Sequence, residues 1–206
     1  MKQFAKKIID LCAIILLLPL IALYKLISLF SSDDASFASY SQLLSLIPGK
    51  TGSFLRKNFY RSTMTKCSEH CFIGFGTLFS QHDTEIEEGV YIGPQCNIGK
   101  SRIEKNCLLG SGIHILSGKN QHDFKDLNTP IREQGGKFTK ISIGEDSWIG
   151  NNSVIMANIG KKCVIAAGSV VINDIPDYSI VGGNPARILK SRLSEPDNLQ
   201  ETQTIK

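Results

Sequence analysis

The chain has 206 residues, 42% of them apolar, and a formal net charge of +4. That length holds one domain with accessories, and that apolar share excludes a chain disordered throughout. Six cysteines in a chain this long do not read as a disulfide framework, which belongs to short secreted chains.

Residues 11–24 form an uninterrupted apolar run of 14, inside a wider run of 23, residues 8–30, that includes Asp10 and Lys25. A simple spanning helix needs about 20 apolar residues, and runs of about 10–14 suit a re-entrant or interfacial segment. No small-x-small cleavage site follows, so a signal peptide is not expected. Pro19 is expected to kink the helix. Lys2, Lys6 and Lys7 favour a cytoplasmic N-terminus. A full span would then carry everything after residue 30 out of the cytoplasm. A kinked helical hairpin within residues 1–36, entering and leaving one leaflet, keeps the rest on the cytoplasmic face; an ordinary single span is the alternative.

Residues 37–66 read as a linker with two short amphipathic helices, 37–47 and 54–60, the second capped by Ser53. Lys50, Arg56, Lys57, Arg61 and Lys66 fall in this stretch with no acid among residues 50–66. They interleave with Phe54, Leu55, Phe59 and Tyr60, which suits a helix lying among lipid headgroups. No RNP-type aromatic strand or paired metal-ligand spacing accompanies them, so nucleic acid is not the expected partner. The competing reading is a cap that closes the open end of a repeat scaffold, and the two readings can hold on different faces.

A six-residue beat follows. Apolar residues recur at Ile73, Phe79, Ile86, Ile92, Ile98, Ile103, Leu109 and Ile115, and again at Ile143, Ile149, Ile155, Ile159, Ile165 and Val171. Gly follows the apolar residue at positions 74, 93, 99, 110, 144, 150 and 160. Neither a helix nor an alternating strand returns at sixes. The period predicts a parallel β-helix, with these glycines at corners, in backbone angles other residues resist. Cys96, Cys107 and Cys163 share a slot with Ser147, Ser153 and Ser169, four residues after an apolar position, so they read as small core residues. Cys67, His70 and Cys71 fit no common zinc spacing. Between Ile115 and Ile143 the beat stops, and the interrupting segment carries His122. Long loops in compact domains are usually functional.

The repeats, the loop after ILSG, the later IGEDSWIGNNSV and the ending AAGSVV…IPDYSIVGGNPARIL resemble the hexapeptide-repeat acyltransferases, over residues 67–190. The preceding PGKTGSFLRKNFYR resembles the variant found in membrane-associated polysaccharide O-acetyltransferases. The resemblance implies a left-handed parallel β-helix, a homotrimer with active sites between subunits, acetyl-CoA as co-substrate and no metal. His122 is then the general base for a sugar hydroxyl, with His114 the runner-up. Asp123 is a candidate to orient the ring. Arg132 and Glu133 would bind substrate or pair with each other. The backbone amide of Asn151 would hold the oxyanion. Trp148 would border the coenzyme channel or pack at a subunit contact. Ala167 matches a position that contacts the pantetheine arm, and Arg187 and Lys190 match basic positions. Lys161 and Lys162 would meet coenzyme phosphates or form a solvated face. Ile172 and Asn173 stand where some relatives carry Thr and Lys. Residues 191–206 read as a polar tail.

The reading is a mainly β protein, a left-handed parallel β-helix with an N-terminal membrane-associated helical segment. It would acetylate a cell-surface polysaccharide or lipid-linked saccharide precursor at the cytoplasmic face of a bacterial inner membrane. The alternatives are a non-catalytic trimeric scaffold and a γ-type carbonic anhydrase. The second is disfavoured because His114 and His122 are eight apart, where its zinc histidines are five.

Overall fold

The computed structural model describes residues 2–193, with side chains from residue 10. The expected polar tail lies outside the described residues from 194 on, as do the side chains of Lys2, Lys6 and Lys7.

The β region is a solenoid with three faces. Face one carries strands Lys66–Cys67, Glu85–Ile86, Ser101–Ile103 and Ile141–Ile143. Face two carries Phe72–Ile73, Tyr91–Ile92, Leu108–Leu109, Trp148–Ile149, Val164–Ile165 and Ser179–Gly183, closed by antiparallel Ala186–Ser191. Face three carries Leu78–Phe79, Asn97–Ile98, His114–Ile115, Val154–Ile155 and Val170–Val171. Neighbouring coils pair in parallel, with inward aliphatics in register, as in Ile92–Leu109 and Ile149–Ile165. These side chains are almost wholly buried. At about 1.5–3 kcal/mol per buried aliphatic, their axial stack is the main cohesion of the domain.

The three corners differ. From face one to two, and from two to three, the step between inward residues is six in every coil, as in Ile86–Ile92–Ile98 and Ile143–Ile149–Ile155. From face three to one it is seven (Phe79–Ile86), five (Ile98–Ile103) and four (Ile155–Ile159). The interrupting loop occupies that same variable corner.

The glycines act differently from the expectation. Those directly after the inward aliphatic lack left-handed angles; that conformation falls two residues later, at Gly76, Gly112 and Gly168 but also at Gln95, Asn106, Asp146, Asn152 and Lys162. The aliphatic-following glycines instead give clearance. A Cβ on Gly93 would sit 2.6 Å from the Gly110 carbonyl oxygen, and one on Gly144 2.5 Å from the Gly160 carbonyl carbon. The small-residue slot is as expected: Cys96, Cys107, Cys163, Ser147, Ser153 and Ser169 are buried, and several donate to corner carbonyls, as Ser147 Oγ does to Gly160 at 2.8 Å.

Three helices close the first coil: α1 (Lys2–Ser28), α2 (Asp33–Ser45) and α3 (Gly49–Thr63). A solenoid end exposes unpaired strand groups, and these need partners. The Arg56 guanidinium, fully buried, donates to the Ile73 carbonyl through Nε (3.3 Å) and Nη2 (3.1 Å), and to Ile47 (2.7 Å) and Leu44 (3.2 Å) through Nη1. The Phe79 amide donates to Ser41 Oγ at 2.8 Å, and the Gly76 amide to the Ser45 carbonyl at 3.0 Å. Lys57, also buried, pairs with Asp10 at 2.8 Å. The headgroup reading is therefore corrected for Arg56, Lys57, Phe59 and Tyr60, which face inward and make that side of α3 the cap, whereas Lys50 and Arg61 stay exposed. Ser53 is not an N-cap; α3 begins four residues earlier, at Gly49, behind Pro48. The reversal expected near Pro19 is also relocated: α1 runs unbroken through Pro19, and the chain turns after it, in residues 29–32. Leu17, Ile21 and Tyr24 pack into the cap on either side of Pro19 and offset the hydrogen bond it forfeits.

Candidate active site

The loop leaves face three after His114–Ile115 and re-enters face one at Ile141–Ile143. Its neck is tied by backbone bonds, Thr139 N–H to Ser117 (2.8 Å) and Lys137 N–H to Asn120 (2.7 Å). Lys140 anchors the return by ion pairs to Asp83 and, at 2.8 Å, to Glu85. Burial alone would push the Asp83 carboxyl up, but hydrogen bonds from Lys140, Lys100 and Thr65 overcome it and hold it at about 2. Within the loop, the Gln134 amide donates to the Asp126 and Thr129 carbonyls at 2.7 Å each and accepts the Asp126 N–H at 3.0 Å.

His122 sits where the loop crosses itself. The Asp123 amide donates to Gly135 at 3.1 Å, and Gly136, at φ 151°, passes so close that a Cβ would lie 2.8 Å from the His122 nitrogen. The His122 ring has no hydrogen-bond partner among the described residues, and Asp123 is not bonded to it. His70 and His82 are engaged, with Glu69 at 3.1 Å and Asp34 at 2.8 Å. His114 points outward from face three in register with Asn97, as the inward Ile115 requires, and lines a hollow of about 160 Å³ with Ser80, Gln121 and Phe138. Arg132 and Glu133 pair with each other at 3.2 Å.

A larger groove of about 390 Å³ opens on the other side of the loop base. It is walled by Lys119, Asn120 and Thr139 and, from later coils, Met156, Ile172 and Asn173. Sequence reasoning named Ile172 and Asn173 only as departures from a pattern and missed the rest. The available signal was that the short steps at Ile155–Ile159 and the loop fall on one corner.

Asn151 lies at the opposite edge of face three, at the corner with face two. Its Oδ1 accepts the Ser111 amide at 3.0 Å, and its carbonyl accepts Gly168 at 2.8 Å. Its own N–H has no acceptor among the described residues. Ala167 stacks on this corner, its nitrogen 2.5 Å from where a Gly150 Cβ would be. Trp148 is 51% exposed and stands mid-way in an apolar column on face two, between Leu108, Tyr91 and Phe72 on one side and Val164 and Ile180 on the other, with Tyr91 and Phe72 stacked at 4.9 Å. The loop and the Asn151 corner are thus rooted at two edges of one face.

A family model described as the hexapeptide repeat of succinyl-transferase matches residues 140–172. A probable macrolide acetyltransferase of Lysinibacillus sphaericus is 31% identical over 51% of this chain and 64% of its own. A galactoside O-acetyltransferase of Lactococcus lactis is 26% identical over 66% of this chain and 67% of its own. The solved structure of a galactoside acetyltransferase in complex with coenzyme A has the same fold, with TM-score 0.56 and 18% identity over 79% of this chain and 84% of that one. The repeat-model match, the acetyltransferase relatives and the parallel β-solenoid together support a hexapeptide-repeat acyltransferase. It spans from 24% to 64% of the length of the first curated relatives it matches.

The basic residues expected at coenzyme phosphates are not gathered together in this chain. Lys161 and Lys162 stand at the corner between faces one and two, away from Ala167, and pair with Asp177 (3.7 Å) and Asp146 (3.3 Å). Arg187, exposed near the start of its strand, is in register with Gly182, and Lys190 with Ile180. Cys67 and Cys71 place their sulfurs 3.8 Å apart. Among the described residues, no group of three or more His, Cys, Asp and Glu is placed to hold a metal ion.

Proposed function

We propose that this protein transfers an acetyl group from acetyl-CoA to a hydroxyl of a cell-surface polysaccharide or lipid-linked saccharide precursor. The observation that carries the reading is the pairing of an uncommitted imidazole, His122, on a braced loop with an uncommitted amide, Asn151 N–H, at the far edge of the same face. In one step His122 takes the hydroxyl proton as the oxygen attacks the thioester carbonyl. The Asn151 amide donates to the oxyanion of the tetrahedral intermediate. Collapse expels the coenzyme thiolate, which recovers the proton from His122. The sugar class is supported by the galactoside relative, and the coenzyme by the coenzyme A complex of the structural neighbour.

Two edges of one face meet when a second copy packs alongside, so we propose a homotrimer with Trp148 and its apolar column at the contact. We place the protein at the cytoplasmic face of a bacterial inner membrane. Helix Asp10–Ser28 is long and apolar enough to cross a membrane by length and composition, and most of its surface is unburied. The test is acetyl-CoA turnover with mass spectrometry of surface glycans from a deletion strain. His122→Ala should lower turnover at least about a hundredfold while leaving acetyl-CoA binding in place. Near-normal turnover dismisses the base, and absence of acetyl-CoA binding by the wild type favours a non-catalytic scaffold.

A further inference from the structure

Between α1 and α3 runs a groove of about 360 Å³, walled by Cys12, Ala13 and Leu16 on one side and Thr51, Phe54 and Leu55 on the other. Lys50 completes its lining. Phe54 and Lys50 also line an adjoining hollow of about 250 Å³ over Cys71 and Phe72. The walls are almost wholly apolar, and α1 continues them outward with the exposed Leu11, Ile15 and Leu18.

Lys50 differs from the other basic residues of its stretch. Arg56 is spent on carbonyls, Lys57 on Asp10, Arg61 on Glu69 (3.6 Å) and Lys66 on Glu87 (3.1 Å). Lys50 is exposed and has no hydrogen bond or ion pair among the described residues. Its ammonium therefore stands uncompensated at the mouth of an apolar cleft.

The setting of α1 bears on what enters that cleft. The helix is pinned along its length, by the Asp10–Lys57 pair near one end and at the other by Tyr24, whose ring meets Phe37, Tyr40 and Phe59 edge-on. It lies along the cap instead of projecting from it. Crossing a bilayer upright would carry α3, with its charges, into hydrocarbon. A helix held flat, with one stripe docked and the rest apolar, belongs in the membrane interface.

We propose that the α1–α3 groove holds one hydrocarbon chain of an anionic bilayer phospholipid, with the lipid phosphate on Lys50. This rests on the membrane placement above and not on the acetyl transfer. The apolar walls match the chain, and the single unpaired cation at the rim matches the head.

The test uses the full-length protein with vesicles of phosphatidylcholine alone and of equimolar phosphatidylcholine and phosphatidylglycerol, read by co-sedimentation. The wild type should bind both and prefer the anionic vesicles. Lys50→Gln should lose about fivefold of that preference, the effect of one basic residue at an anionic surface, and keep its binding to phosphatidylcholine. Cys12→Trp, which fills the groove without changing charge, should also lose preference, and native mass spectrometry should find the phosphatidylglycerol adduct of the wild type missing in both variants. A Cys12→Trp protein with full preference and adduct would overturn the site. Equal wild-type binding to both vesicles would overturn the lipid site alone. Binding to neither would remove the membrane placement and the proposal with it.

Discussion

Arg56→Met tests whether one buried guanidinium closes the open end of the solenoid. Methionine keeps much of the volume but donates nothing. The Leu44 carbonyl retains a backbone partner, the Ile47 amide at 3.4 Å, whereas the Ile73 and Ile47 carbonyls have only Arg56 among the bonds seen. Stranding two buried acceptors costs about 1–3 kcal/mol each, so about 4 kcal/mol together. Relief from burying a charge returns part of that, leaving about 3 kcal/mol. For a chain of this size each kcal/mol lowers the melting temperature by about 2–4 °C, so the expected drop is about 6–12 °C. The assay is thermal unfolding by circular dichroism of the full-length protein. Lys66→Met is the reference, since it removes an ion pair whose lysine is 55% exposed, worth at most about 1 kcal/mol. An Arg56→Met protein that melts no lower than Lys66→Met would refute the closure argument.

Gly136→Ala should abolish most turnover while barely moving the melting temperature, because the added Cβ collides with the Gln121 carbonyl and displaces the His122 backbone; activity and unfolding measured side by side check this. The Asp83 carboxyl, held at about 2 in the folded chain, binds fewer protons than in the unfolded chain between about pH 4 and pH 2. Its contribution is complete above that window and is lost as pH falls through it. Asp83→Asn should therefore flatten the acid limb of a melting-temperature profile, and an unchanged limb would remove the lysine clamp as its cause. The Cys67 thiol hydrogen bond, with Lys57 and Arg61 nearby, holds the Cys71 thiol below its ordinary value, whereas burial pushes Cys107 up to about 12. Iodoacetamide near neutral pH should label Cys71 well before Cys107, read by peptide mass spectrometry; the reverse order would contradict it.

The solenoid was legible because its inward residues obey a strict count at two corners, and a count survives in sequence. What Gly93 and Gly144 do was not legible. Spacing shows that a minimal side chain is wanted, and both backbone angle and clearance ask for the same residue. Arg56 and Lys57 were misplaced for a related reason. A cation among aromatics reads alike whether it faces lipid or a stranded carbonyl, and the carbonyl of Ile73 is stranded only once the first coil exists. The loop with His122 announced itself by breaking the beat, and His114 faces outward as its neighbour Ile115 demanded. Gly136 gave no such notice, since its crossing with Gln121 arises only when the loop folds back.

The uneven corner also says where this architecture tolerates growth. Lengthening a turn at either strict edge would slide every later aliphatic out of the axial column. At the third edge the coils already differ in length, and added residues are charged chiefly the slowly rising entropy of closing a longer loop. Under the proposed function, with its base on that loop, acceptor preference and scaffold integrity fall in separate parts of the chain, and loops exchanged at that edge alone should retarget the protein without unseating its stack.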